Sequence, residues 1–223
     1  MAVVAGVDGV RGGWVVAVVR PDRPVVWHAA DDAAGVLAVT EECAVIAVDI
    51  PIGLSDTGSR ACDKQARTRL GDARSSVFSA PVRGVLRAAD YAEACAISRA
   101  ETAAGVAIPI QTWGITPKIA EWDAVVDDRV VEVHPELSFR ALAPGRVFAR
   151  KKSAAGVGQR ITALLPFVDA ATALASAPET ASTDDALDAL AAAWSARRHA
   201  AGDADVLGGE VDPATGRPMR IVV

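Results

Sequence analysis

Two apolar runs in this chain each stop on an aspartate. VVAGVD closes at Asp8 and is followed by Gly9, Gly12 and Gly13, and AVIAVD closes at Asp49 before Pro51 and Gly53. A carboxylate at the end of a buried strand is costly unless something offsets its charge. Glycines beside it let a ligand or a metal come close to the backbone. Two strands that end this way can lie side by side in one sheet, where a pair of like charges calls for a divalent cation between them. Taken alone, each aspartate also reads as a turn residue or a helix cap at a strand end.

The elements around these aspartates narrow the fold. VVAGVD, the turn GVRGG and the apolar run WVVAVV read as strand, turn, strand, and PVVWHA predicts a third strand after a turn at Pro21–Pro24. Asp31 to Thr40 has helical spacing, with Asp31 or Asp32 as its N-cap. AVIAVDIPI is a fourth strand. The order β-β-β-α-β suits a mixed sheet that begins as an antiparallel meander, and it fits poorly with a dinucleotide fold that begins βαβ. RVVEVHPE predicts a fifth strand ending at Pro135, which suits the first position of a helix.

The stretch from about Leu54 to Asp128 reads as helical and irregular, with helices at Ser59–Leu70, Val85–Ala103 and Lys118–Val126. Ala143–Gly158 is loop-like around the basic run Arg150, Lys151, Lys152. Helices follow at Gln159–Ser176 and over DDALDALAAAWSARR, which Ser182 or Thr183 can cap. No repeat and no interdomain linker is visible, so the expectation is one domain over 1–223 with a helical insertion at 54–128.

Composition excludes several classes. In 223 residues, 51% are hydrophobic and 23% charged, and no apolar run approaches the length a membrane-spanning helix needs, so disorder, coiled coil and a membrane span are all set aside. The first ten residues carry no basic leader before an apolar run, which predicts a cytoplasmic protein. Cys43, Cys62 and Cys95 have neither disulfide-framework nor zinc-site spacing and are expected as buried thiols. A net charge of −5 argues against bulk electrostatic coating of nucleic acid. The charge is unevenly spread, however. From Arg60 to Arg99, Arg60, Lys64, Arg67, Arg69, Arg74, Arg83, Arg87 and Arg99 stand against Asp63, Asp72, Asp90 and Glu93. A basic rim beside an acidic centre is one reading, and solvated helix faces are the other.

Further acidic residues join the candidates. Asp185 and Asp188 are spaced i, i+3 and share one side of an otherwise apolar helix. The helix macrodipole accounts for an acid in the first turn, hence for Asp184 and Asp185, but not for Asp188 between Leu187 and Leu190. The fifth strand adds Glu132, His134 and Glu136. His134 reads equally as a metal ligand or an N-cap, and Glu136 has the same macrodipole explanation as Asp185.

In this order these segments resemble the RNase H-like superfamily, and more closely the bacterial and archaeal family called domain of unknown function 429, described as predicted RNase H-like nucleases. The resemblance covers nearly the whole chain. Its carriers are GVDGVRGGW (6–14), VDIPIGL (48–54), R-x-C-D-x-x-A-R-x-x-L-G (60–71), SSVFSAP (75–81), QTW with PKIAEWD (111–123), EVHPELSF (132–139) and DDALDALAAAW (184–194). The last is also similar to the D-x-x-D-A-L-A helix of RuvC-type junction resolvases, matched by Asp185 and Asp188. Asp8 corresponds to the first-strand Asp of those enzymes and Asp49 to their fourth-strand acid. That acid is commonly Glu, one methylene longer.

The resemblance implies an α/β fold with an RNase H-like mixed five-stranded sheet, its first three strands antiparallel, flanked by helices and with a helical insertion after the fourth strand. It also implies a metal-dependent nuclease acting on nucleic acid. Asp8, Asp49, Asp185 and Asp188 would form an all-oxygen site that selects Mg²⁺ or Mn²⁺, as a pair of ions, over zinc. Glu136 or His134 would orient the water or support the ligands. Arg60, Lys64, Arg67 and Lys118 are candidates for phosphate contacts, and Lys151 and Lys152, with Arg150, for a mobile clamp. Related resolvases act as dimers, so a homodimer is expected by analogy only.

Two other classes stay open. A phosphotransferase of the sugar-kinase or acetate-kinase type needs two copies of the fold, and this chain shows one copy and no G-x-x-x-x-G-K-[ST] loop. A non-catalytic binding module has little reason to keep four separately placed aspartates.

Overall fold

The computed structural model describes residues 1–125 and 127–223. Among them are seven strands and eight α-helices: β1 Val4–Val10, β2 Gly13–Val19, β3 Val26–Ala30, α1 Ala33–Val39, β4 Val45–Val48, α2 Ala61–Leu70, α3 Tyr91–Glu101, α4 Ile110–Asp123, β5 Val130–Val133, α5 Pro135–Leu142, α6 Ala154–Leu164, α7 Ala170–Leu174, α8 Thr183–Ala201, β6 Val206–Val211 and β7 Pro218–Val222. The strand order is β3-β2-β1-β4-β5-β7-β6. The sheet thus has seven strands rather than five, because a C-terminal pair joins it. That pair is hard to read from sequence. Gly208 and Gly209 interrupt β6 with φ of +79° and +129°, and β6 is largely exposed, so neither β-branched content nor alternation marks it.

The chain divides into two compact units. The first comprises Met1–Ile50, Asp127–Asp205 and Val222–Val223, and the second comprises Pro51–Val126 and Val206–Ile221.

In the first unit β1 and β2 form a tight antiparallel hairpin, with Val10 opposite Gly13 and Gly12 in the left-handed region at φ +82°. β3 adds antiparallel to β2, whereas β4 lies parallel to β1 and β5 parallel to β4. β1, β2, β4 and β5 are almost wholly buried, as their Val-rich apolar runs require, with Asp8 in β1 and Glu132 in β5 as the buried charges among them. Asp32 caps α1, its Oδ1 accepting from the Gly35 N–H at 2.8 Å.

The helix that packs on this sheet is α8. Ten of its residues are buried, six of them alanines. Small side chains let it lie unusually close to β1. A Cβ built at Gly6 would stand 1.9 Å from the Ala189 carbonyl oxygen and 2.2 Å from the Ala193 nitrogen. Glycine is therefore required at that point of the strand. Ser182 begins α8 with a capping box: its hydroxyl accepts from the Asp185 N–H, and the Asp185 carboxylate accepts from the Ser182 N–H at 3.0 Å. Gly202 ends it at φ +78°.

The second unit holds the segment after β4. The expected helix at Val85–Ala103 is two pieces, a 3₁₀ turn at Arg83–Arg87 and then α3, which starts late because Asp90 caps it. α4 begins eight residues earlier than Lys118 and runs through Pro117. Proline supplies no N–H to the Trp113 carbonyl, and the Thr116 hydroxyl donates to that oxygen at 2.7 Å instead. The predicted end of this helix at Val126 lies outside the described residues. The buried Asp212 ties this unit together, accepting from the N–H groups of Leu54 (3.0 Å) and Ala214 (2.9 Å) and from Arg83, which also pairs with Asp123.

In the first unit, Gln159–Ser176 is likewise two helices. α6 starts at Ala154 under a Ser153 cap, and Asp169 caps the separate α7. Cys43, Cys62 and Cys95 are buried free thiols.

Candidate functional site

The first unit brings Asp8, Asp49 and Asp188 together. Side chains alternate along a strand, so Gly6 and Asp8 share one face of β1, the face on which Ala189 and Ala193 of α8 rest. Asp8 consequently points toward the beginning of α8, where Asp188 precedes Ala189. In the parallel register Gly6 stands opposite Ala47 and Val7 opposite Val48, and the Asp49 N–H donates to the Val7 carbonyl at 3.0 Å. The same register carried one residue further sets Asp49 beside Asp8. Three separate elements thus deliver three carboxylates to one end of the sheet.

The electrostatics follow from that placement. Asp8 is 8% exposed and its carboxyl is pushed well above the ordinary range, chiefly by burial and then by the negative charges of Asp49, Asp188 and Asp185. The Gly9 N–H, donating to Asp8 Oδ1 at 2.9 Å, pulls the other way. Burial lifts Asp49 to about 7, against the pull of Lys151. Asp188, 7% exposed, is also lifted to about 7 by burial; Lys151 opposes the rise and Asp49 adds to it. Asp185 lies near enough to act on Asp8, but its own carboxylate closes the α8 capping box.

One cation already reaches this cluster. Lys151 Nζ lies 3.1 Å from Asp188 Oδ2 and 3.3 Å from Asp184 Oδ2. Among the described residues no three or more His, Cys, Asp or Glu side chains are grouped closely enough to hold a metal ion as they stand. The donor chemistry nevertheless fits a hard cation. The donors are all carboxylate oxygens, buried and mutually repelling, and they draw an ammonium group onto one of their number.

The family described as protein of unknown function, DUF429, matches the chain over residues 6–212. The chain belongs to the DUF429 family. No curated protein and no solved structure matches it.

The other candidate residues of this DUF429 protein have distinct placements. His134 sits at the N-cap position of α5, and its carbonyl accepts from the Leu137 and Ser138 N–H groups. Glu136, in the first turn of α5, accepts from Arg160 Nη2 at 2.8 Å. Arg60 is not a surface phosphate contact. It is buried, donates to Asp63 Oδ1 at 2.6 Å, and reaches the carbonyls of Ile52 and Gly53. Arg67 donates twice to the Val77 carbonyl and lines a surface groove of about 580 Å³ with Thr68, Gly71, Asp72 and Arg74. Lys64 is exposed and Lys118 half-buried. These four basic residues all belong to the second unit.

The Arg150–Lys152 run is held rather than free. The Ala149 N–H donates to Gln159 Oε1 at 2.7 Å, Arg160 Nη1 donates to the Ala149 carbonyl at 3.1 Å, and the Ser153 N–H donates to the Arg150 carbonyl at 2.9 Å. Lys152, 80% exposed, comes only within 3.9 Å of Asp184. Arg160 was not among the sequence candidates. It is 3% exposed, lies between the Phe139 and Phe148 rings at 5.2 and 5.1 Å, and is near enough to Asp188 to favour its charged form. Its signal in the sequence is an arginine on the apolar stripe that Gly156, Ala163 and Leu164 form on α6.

No helix among the described residues is long and apolar enough to cross a membrane.

Proposed function

We propose that this protein is an RNase H-like, divalent-metal-dependent phosphodiester hydrolase acting on nucleic acid. The observation that carries the reading is the convergence of Asp8, Asp49 and Asp188, each from a different element, into one buried, mutually repelling cluster. The antiparallel β3-β2-β1 meander followed by the parallel β4 and β5 is consistent with that superfamily. Two Mg²⁺ or Mn²⁺ ions, when bound, supply Lewis acidity and lower the pKa of a water. Asp8 and Asp49 hold that centre from the sheet and Asp188 from the helix. Asp185 sits one turn earlier on α8. Arg160, buried and paired with the half-buried Glu136, is near enough to Asp188 to favour its charged form and so supports the centre from outside it. Gly9, next to Asp8, carries no side chain of its own that would oppose the approach of a phosphate. Lys64, Arg67 and Lys118 are the remaining candidates for contacts with the nucleic-acid backbone, a role that needs only positive charge and reach.

The test is calorimetric titration of Mn²⁺ and Mg²⁺ into the wild type and Asp8→Asn, with single-stranded, duplex, hybrid and junction substrates assayed in parallel. Metal binding and cleavage in the wild type, both lost in Asp8→Asn, are the expected result. A wild type that binds no metal overturns the reading and leaves a non-catalytic module.

A further inference from the structure

Lys151 is placed with more care than a surface lysine needs. The segment that carries it is tied to α6 by Gln159, Arg160 and Ser153, and Arg160 is itself held by Glu136 and two phenylalanine rings. Gly156 lets that segment come close. A Cβ there would stand 2.1 Å from the Arg150 carbonyl oxygen. The result is an ammonium group 3.1 Å from one of the three converging carboxylates and 3.3 Å from Asp184, which stands one turn earlier on α8.

We propose that Lys151 is the resident counter-ion of the aspartate cluster and that a divalent cation binds by exchanging with it. This inference rests on the metal reading given above. An ammonium on Asp188 Oδ2 and a divalent ion on the same carboxylate would stand only a few ångströms apart, and their repulsion makes the two occupancies compete. Asp184 gives the displaced lysine a second berth. Its carboxylate already accepts from the Ser182 hydroxyl at 2.8 Å, so it is ordered and negative. Lys151 therefore needs only to shift from the Asp188–Asp184 pair onto Asp184 alone, without unfolding the segment that carries it. The exchange keeps the cluster compensated both before and after an ion arrives, which a buried set of carboxylates requires.

The experiment is a Mn²⁺ titration of the full chain by calorimetry, in wild type, Lys151→Met and Lys152→Met. Loss of a half-exposed competitor makes Lys151→Met bind Mn²⁺ about threefold to tenfold tighter, whereas Lys152→Met, which loses the same charge but does not reach Asp188, stays near the wild type. In metal-free protein, Lys151→Met lowers the melting temperature in the wild type more than in an Asp188→Asn background. Equal or weaker Mn²⁺ binding by Lys151→Met, with binding intact in the wild type, overturns the exchange and leaves the metal centre standing. Failure of all three proteins to bind Mn²⁺ overturns the metal centre itself, and the exchange with it.

Discussion

Replacing Asp188 with Asn in metal-free protein should stabilise the fold, and more so as pH rises. Asp188 is lifted from an ordinary aspartate's 3.8 to about 7, mainly by burial. Between those two values the unfolded chain has released the proton that the folded protein still holds. Stability from this group is therefore fully present at low pH, falls as pH rises through that window, and levels off above about 7. The change in proton affinity is roughly a thousandfold, which corresponds to about 4 kcal/mol. Local relaxation and water entry reduce the cost actually met, so a gain of about 2 to 4 kcal/mol at pH 8 is expected. For a chain of this length that raises Tm by roughly 5–15 °C. At pH 5 only part of the window has been crossed, and the gain should fall to about half or less. The assay is thermal denaturation of both proteins in EDTA at pH 5 and pH 8. An Asp188→Asn protein that is no more stable at pH 8, or whose advantage does not grow with pH, would refute the reasoning.

Other substitutions probe the frame around the site. Asp212→Ala removes the acceptor for the Leu54 and Ala214 N–H groups and a partner of Arg83; urea denaturation should show a loss of about 3–5 kcal/mol, and a loss within experimental error would count against Asp212 as a tie within the second unit. Ser182→Ala opens the α8 capping box and should cost about 1 kcal/mol in the same assay. Thr116→Val deprives the Trp113 carbonyl of its donor and should cost about 1 kcal/mol. Adding Pro117→Ala restores a backbone N–H to that carbonyl, so the cost of Thr116→Val should shrink in that background; an unchanged cost would show that the hydroxyl does not replace the missing bond.

Much of the first unit is legible in the sequence because β1, β2 and β4 are buried on both faces and α1 and α8 carry side-chain caps. The runs VVAGVD, WVVAVV and AVIAV mark β1, β2 and β4, and Asp32 and Ser182 mark the starts of α1 and α8. Asp8, Asp49 and Asp188 stand out because each puts a charge where the surrounding pattern is apolar. Other features depend on partners far away in the chain. Arg60 looks like part of a basic helix face until Asp63 and two carbonyls enclose it, and Lys151 looks like part of a solvated basic run until α6 holds its segment in place. The length of α4 was hidden by Pro117, whose missing bond a neighbouring hydroxyl makes good. β6 is hidden by Gly208 and Gly209, which take positive φ inside it and break any strand pattern.

The contact at Gly6 bears on how this site can change. Polar residues around the cluster have alternatives of similar shape, and a lost charge can be replaced from a neighbouring position. Nothing can replace Gly6 without moving α8 away from β1, because even the smallest side chain would meet the helix backbone itself. Such a shift would carry Asp188 away from Asp8 and Asp49 while leaving all three residues in place. A chain could therefore keep every acidic residue of the cluster and still lose the arrangement through one added methyl group two residues from Asp8.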